Sequence, residues 1–127
     1  FKFTTNILKS KKIDLFNNGH HIRDFTNVLD VVKSIDKLIT KPPKNKIPYE
    51  IFNIGSNNPK SLKNYVDIIE KNLNIKSKIR YKPLQKGDVI KTHANVNKLI
   101  NYINYRPLIK IEKGIFEFIN WFKSYYK

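Results

Sequence analysis

The sequence has no cysteine, which excludes disulfide bonds and thiolate metal sites. Glycine is scarce as well, and the four glycines lie far apart, at positions 19, 55, 87 and 114. Their dispersion excludes a G-x-G-x-x-G turn, the loop that binds the pyrophosphate of a dinucleotide. No apolar run approaches the roughly 18 residues that a membrane helix requires, so the sequence predicts no membrane partner.

Acidic residues are few: 10 of them stand against 25 lysines and arginines, and the formal net charge is +15. A basic chain attracts polyanions, so a basic nucleic-acid-binding module is one interpretation. Only three of the basic residues are arginine, the residue best suited to phosphate and base recognition, and the lysines are scattered along the chain. The abundance of Lys, Ile and Asn also fits a low-GC coding bias. We therefore expect no specific nucleic-acid partner.

The length of 127 residues corresponds to one domain at most, with enough apolar residues for a moderate core. No signal peptide is visible, so we expect a cytoplasmic protein.

Helical and extended patterns alternate, which indicates an α/β or α+β class. Apolar spacing predicts helices over 1–10, 28–39 and 62–73, around 99–103, and from about 112 to the end. Ser61 is expected to be the N-cap of the helix over 62–73. Strands are predicted over 13–16, over 49–54 as a buried strand, and around 79–81 with one exposed face.

Two segments place polar groups between apolar runs, where binding residues tend to lie. Segment 20–30, HHIRDFTNVLD, resembles the RDFxxVxD segment of the extended short-chain dehydrogenase/reductase family. Segment 83–89, PLQKGDV, resembles the QxGDV segment of its UDP-glucuronate 4-epimerase branch. Segments 51–55, IFNIG, and 114–122, GIFEFINWF, resemble the YNIG and GIxxFxxWY segments of that branch. These four motifs follow one another in family order over essentially the whole chain.

The resemblance implies an α/β fold in which residues 1–127 form the α+β-like, C-terminal substrate-binding portion of a Rossmann-type enzyme. The N-terminal Rossmann core of that family carries NAD and a catalytic Tyr-x-x-x-Lys pair, and neither its glycine-rich turn nor this pair occurs in the sequence. In the complete enzyme, NAD would support a 4-epimerase reaction between UDP-glucuronate and UDP-galacturonate through a transient 4-keto sugar. The complete enzyme could be a homodimer. The 127-residue chain alone is expected to be inactive.

The resemblance also assigns binding residues for a UDP-sugar. Arg23 would bind the diphosphate, since a guanidinium can donate two parallel, charge-assisted hydrogen bonds. Asp88 would accept hydrogen bonds from the ribose hydroxyls, and Gln85 would supply an uncharged amide beside it. The segment from Asp14 to Phe16 would meet the uracil ring, largely through backbone groups.

Each assignment has an alternative. Arg23 could pair with Asp24 or another carboxylate, Gly87-Asp88 could form a plain turn, and 14–16 could simply be a core strand. At the level of the whole chain, the alternative is a non-catalytic remnant or scaffold of a split or decaying gene. Departures from the family pattern at Asn27, Leu29 and Asn95 are in keeping with that alternative.

Overall fold

The computed structural model describes residues 1–126. The helices and strands follow one another as α1 (Lys2–Leu8), β1 (Lys12–Leu15), a 3-10 turn (Phe16–Gly19), β2 (Ile22–Arg23), α2 (Val28–Ile39), β3 (Lys60–Ser61), α3 (Leu62–Leu73), β4 (Lys78–Tyr81), α4 (Asn97–Ile103) and α5 (Ile111–Tyr125). This alternation of helices and strands confirms the predicted α/β class. Within residues 1–126, no helix is both long and apolar enough to cross a bilayer.

The strands form two small sheets. β1 pairs in parallel with β4, with Asp14 opposite Arg80. β2 pairs antiparallel with β3, with Arg23 opposite Lys60, and Ile22 also forms a parallel bridge with Lys91. β2 therefore lies between β3 and the segment that follows β4.

The core lies where α1, α3 and α5 pack around β1. Alternation along β1 buries Ile13 and Leu15, because successive side chains of a strand point to opposite faces. The helices contribute apolar residues at three- and four-residue spacings, as the sequence predicts. The buried cluster consists of Ile7, Ile13, Leu15, Val66, Ile68, Ile69, Leu73, Ile115 and Ile119.

Polar side chains define where three helices begin. Ser61 accepts a hydrogen bond from the amide of Asn64 at 3.1 Å, which confirms its predicted role as the N-cap of α3. Asn95 accepts from the amide of Asn97 at 3.1 Å, just before α4. Asn27 caps α2 by accepting from the amide of Leu29 at 2.9 Å. The departures from the family pattern at Asn27 and Asn95 thus have local structural uses.

The apolar stripe of α2 faces outward. The predicted helix is confirmed, but its buried residues are Asp30 and Ser34. The stripe has no covering element among residues 1–126, so the exposed apolar side chains of α2 include Val28, Leu29, Val32, Ile35 and Ile39.

The predicted buried strand over 49–54 is wrong. The segment is irregular, and Tyr49 and Ile51 are exposed. A buried strand requires neighbouring strands, and the chain from 1 to 126 provides none beside this segment. Phe52 instead packs on Tyr102, with ring centroids 4.8 Å apart, and the side-chain amide of Asn53 donates to the carbonyl of Asn95 at 3.4 Å.

A buried carboxylate fixes the corner between α3 and β4. Glu70 accepts hydrogen bonds from Nζ of Lys76 at 2.8 Å and from the amide and hydroxyl of Ser77 at 3.0 and 2.5 Å. Burial alone would raise the pKa of Glu70, but these hydrogen bonds outweigh it and lower the pKa to about 2.

We expect Glu70→Gln to lower the free energy of unfolding at neutral pH by about 1–3 kcal/mol, since it removes a charged acceptor from a buried site. The lowered pKa means that the stabilisation is complete above about pH 5 and is lost as the pH falls towards 2. Urea unfolding at several pH values should therefore show parent and variant converging in acid. Lys76→Ala is the matched control: Lys76 is 90% exposed, so its removal should cost less than about 1 kcal/mol. A constant difference between parent and Glu70→Gln from pH 7 to pH 2 would contradict this role.

Candidate functional site

Three chain segments meet at the carboxyl end of β2. The amide of Ile22 donates to the carbonyl of Ile90 at 2.9 Å, and the amide of Thr92 donates to the carbonyl of Ile22 at 3.0 Å. On the other side, β3 leads directly into α3. The loop before β3 and the loop after β4 therefore both lie beside the RDF motif.

Asp24 holds these loops together. One carboxylate oxygen accepts from the hydroxyl of Ser56 at 2.5 Å and from the amide of Asn58 at 3.3 Å. The other accepts from the amides of Asn57 at 3.2 Å and Ala94 at 3.1 Å. Partial burial alone would raise the pKa of Asp24, but these four hydrogen bonds outweigh it and keep the pKa below its ordinary value. Asp24 is thus occupied within the protein and is not the partner of Arg23.

The first loop approaches Asp24 closely because residue 55 is glycine. A Cβ at Gly55 would lie 2.4 Å from Cβ of Ala94 and 2.9 Å from a carboxylate oxygen of Asp24. Both distances are shorter than van der Waals contact allows, so a side chain there would push the two loops apart. The YNIG-like segment therefore ends in glycine for packing, although no strand precedes it.

Two further residues of the RDFxxVxD-like segment, Phe25 and Asp30, have structural roles. Phe25 stacks on Tyr65 of α3, with ring centroids 4.5 Å apart and an interplanar angle of 13°. Asp30 is buried and accepts from the hydroxyl of Tyr105 at 2.6 Å and from the amide of Ile109 at 2.9 Å. Burial, followed by the hydrogen bond to Asp30, raises the pKa of Tyr105 to about 12. These contacts tie the site to α3 and to the loop before α5.

Arg23 and Asp88 meet directly. Nη2 of Arg23 donates to Oδ1 of Asp88 at 3.1 Å, and Nη1 donates to the carbonyls of Ile22 at 3.0 Å and Ile90 at 3.2 Å. The two side chains are 27% and 33% exposed, so a ligand could reach both. Arg23 and Asp88, the residues predicted to bind the diphosphate and the ribose, therefore lie at one location. In this structure Arg23 pairs with a carboxylate, as the alternative interpretation of this residue predicted.

Gln85 lies in the same loop as Asp88. The amide of Asp88 donates to the carbonyl of Gln85 at 3.1 Å, which closes a tight turn. Gly87 has a φ of +83° in this turn, a conformation that glycine adopts without strain. The side chain of Gln85 is exposed. Gly87 and Asp88 thus form a turn, as their alternative interpretation predicted. The same turn places Asp88 beside Arg23.

Asp14 and Phe16 lie at the end of β1. Asp14 forms a two-point ion pair with Arg80, from Nε to Oδ1 at 2.6 Å and from Nη2 to Oδ2 at 2.8 Å, and this contact lowers the pKa of Asp14. Phe16 begins the 3-10 turn. The backbone around it is bonded to the residue after β4: the amide of Lys82 donates to the carbonyl of Leu15, and the amide of Asn18 to the carbonyl of Lys82. The role of this segment towards uracil stays a prediction.

Two further residues at this location were not indicated by sequence patterns. Lys60 is the cross-strand partner of Arg23, so two cations point to the same face of β2 and β3. Like charges in this arrangement repel each other, and a bound anion would relieve the repulsion. His21 is 3% exposed, and its Nε2 lies 3.2 Å from Oδ2 of Asp88. The position of Lys60 beside Arg23 follows only from the register of two short strands. The position of His21 beside Asp88 follows only from its burial in the fold.

Comparisons with known proteins agree with the motifs. The NAD dependent epimerase/dehydratase family model matches residues 1–55. An uncharacterized protein of Methanocaldococcus jannaschii is 43% identical over 96% of this chain and 36% of its own length. UDP-glucuronate 4-epimerase 1 of Arabidopsis thaliana is 34% identical over 99% of this chain and 32% of its own length. The chain thus spans about a third of the length of these relatives.

A solved structure shows the same fold. The UDP-glucose 4-epimerase of Thermotoga maritima, crystallised with UDP-glucose, is 25% identical and superimposes with a TM-score of 0.86. The match covers 99% of this chain and 39% of that enzyme. From the motifs, the family model, the relatives and this fold, we conclude that the chain belongs to the NAD-dependent epimerase/dehydratase family of the extended short-chain dehydrogenases/reductases.

Proposed function

We propose that this chain is the UDP-sugar-binding portion of an NAD-dependent nucleotide-sugar epimerase, and that the complete enzyme interconverts UDP-glucuronate and UDP-galacturonate. The observation that carries the proposal is the meeting of Arg23 and Asp88, two residues from distant motifs, at a partly exposed face that also bears Lys60. The curated relatives named as UDP-glucuronate 4-epimerases support the choice of sugar.

The geometry suits a nucleoside diphosphate. Arg23 is held through Nη1 by two backbone carbonyls, so its guanidinium is oriented while Nη2 faces the ligand side. Arg23 and Lys60 together would offset the two charges of a diphosphate. Asp88, released from Arg23, could accept hydrogen bonds from both ribose hydroxyls. Gln85 would contribute an amide at the edge of this site.

The residues described do not fit the NAD pyrophosphate. A dinucleotide is bound where a glycine-rich turn joins a parallel strand to a helix N-terminus. Within residues 1–126, Gly19 ends a turn that leads from β1 into β2 and not into a helix, Gly55 packs against Ala94 and Asp24, Gly87 lies in a loop, and Gly114 lies inside α5. We therefore propose that NAD, the cofactor of this family, binds to residues outside this sequence, together with the catalytic pair. The part of this chain in the reaction is to hold the substrate by its UDP group.

Calorimetric titration of the 127-residue chain with UDP and UDP-glucuronate tests the proposal. We expect both ligands to bind with affinities within about threefold of each other, because the proposed contacts are all to the UDP group. Incubation with UDP-glucuronate should give no UDP-galacturonate, because the chain has no Tyr-x-x-x-Lys pair. Failure of the folded chain to bind either ligand, or epimerisation by the chain alone, would contradict the proposal.

A further inference from the structure

We propose that His21 is the positioning residue of Asp88: it donates a hydrogen bond from Nε2 to the carboxylate and holds it in place when Nη2 of Arg23 binds the diphosphate instead of Asp88. This inference rests on the proposed function, because it takes Arg23 and Asp88 as the diphosphate and ribose contacts.

His21 is a buried polar residue with an unused nitrogen. The residue is 3% exposed, and its Nε2 has no aligned hydrogen bond within residues 1–126. The same atom lies only 3.2 Å from Oδ2 of Asp88, close enough for an ion pair. Buried polar atoms are nearly always satisfied, and contacts in ligand-free sites often align only when the ligand binds. A small rotation of Asp88 would turn this short contact into a hydrogen bond.

The two oxygens of Asp88 have separate partners. Arg23 Nη2 contacts Oδ1 at 3.1 Å, and His21 Nε2 faces Oδ2. A diphosphate that attracts Arg23 would remove the first contact. Asp88 is on an exposed turn, so without a second contact its side chain would be free to rotate away from the ribose. A carboxylate has about four acceptor positions, so Oδ2 can accept from His21 and still accept from a ribose hydroxyl.

His21 is well placed to act as an anchor. It directly precedes β2, and the two-residue period of an extended chain directs His21 and Arg23 to the same side. Its carbonyl accepts from the amide of Leu62 at 2.7 Å, which fixes the backbone of residue 21 to the start of α3. The ring is therefore held by the folded body of the protein, whereas Asp88 belongs to a loop.

Binding of UDP and of inorganic pyrophosphate to variants separates this role from a general structural one. His21→Leu should weaken UDP about tenfold, the value of one hydrogen bond to a charged group, and leave pyrophosphate within about twofold. His21→Gln, which keeps a donor, should recover most of the UDP affinity. Arg23→Ala should weaken both ligands. Near-ultraviolet circular dichroism of each variant checks that the fold is retained.

Nuclear magnetic resonance of the histidine ring nitrogens tests the same contact without ligand. We expect His21 to carry a proton on Nε2, and we expect this nitrogen's signal to shift in Asp88→Ala. A proton on Nδ1 alone, or parental UDP affinity in a folded His21→Leu, would overturn the His21 proposal alone. The parent protein could instead bind neither UDP nor pyrophosphate, while the Nε2 signal of His21 still shifts in Asp88→Ala. That result would overturn the proposed function, and with it the proposed role of His21 in UDP binding.

Discussion

Replacing Arg23 with alanine is expected to weaken UDP binding by about tenfold to a hundredfold. The substitution removes a charge-assisted contact worth about 1.5–3 kcal/mol. It also removes one of the two close partners of the Asp88 carboxylate, and the remaining partner is His21. Arg23→Lys should recover only part of the affinity, because a point charge cannot reproduce a guanidinium that two backbone carbonyls hold in one orientation. Calorimetry with UDP on the folded variants provides the measurement.

Arg106→Ala is the matched control for this experiment. It removes the same charge from an exposed position between α4 and α5, in a cleft that is lined by Phe25 and Asn58 and not by Arg23 or Asp88. We expect it to change UDP affinity by less than about twofold at 0.15 M salt, since separated surface charges are screened. Equal losses in Arg23→Ala and Arg106→Ala would mean that UDP responds only to net charge. If Arg23→Ala bound UDP as tightly as the parent, Arg23 would have no role in UDP binding and would only pair with Asp88.

Replacing Asp24 with alanine is expected to lower the free energy of unfolding by about 2–4 kcal/mol, because one hydroxyl and three backbone amides lose their acceptor. Asp24→Asn should cost less but still destabilise, since an amide has only one acceptor oxygen. Urea unfolding at neutral pH measures both. The lowered pKa of Asp24 predicts that the stabilisation by Asp24 is complete above its unfolded-state pKa near 4 and is lost as the pH falls further.

Asp67→Ala controls for loss of any carboxylate. Asp67 pairs with Lys63 one helical turn away on an exposed face of α3, so its removal should cost about 0.5 kcal/mol or less. If Asp24→Ala were no more destabilising than Asp67→Ala, the loops around the RDF motif would not depend on Asp24.

Helices were predictable from this sequence because each carries its own signal. The spacing of apolar residues placed α2, α3 and α5 close to their observed bounds, and Ser61 marked the start of α3. Pairing of strands was not predictable, because β2 and β3 are two residues each and their register depends on contacts distant in sequence. The strand predicted over 49–54 failed for the related reason that burial of a strand depends on neighbours, and residues 1–126 provide none there.

Candidate binding residues were predictable only as separate motifs. The RDF and GDV segments pointed to Arg23 and Asp88, but only the fold brings them within 3.1 Å of each other. Lys60 and His21 have no sequence signature. Lys60 is a candidate because it lies opposite Arg23 in the β2–β3 pair, and His21 because it is buried beside Asp88. The RDF motif also combines roles that sequence cannot separate, since Asp24 and Phe25 organise the loops and α3 around Arg23.

We propose that UDP binds where β2, β3 and the loop after β4 meet. Titrating UDP into ¹⁵N-labelled chain and mapping the backbone amide shifts tests this most directly. We predict that the largest shifts fall on residues 21–24, 60–61 and 85–92, with smaller shifts at 14–18 if the uracil ring reaches that turn. Shifts that instead follow the scattered lysines, or that concentrate on the exposed face of α2, would contradict the proposed UDP site.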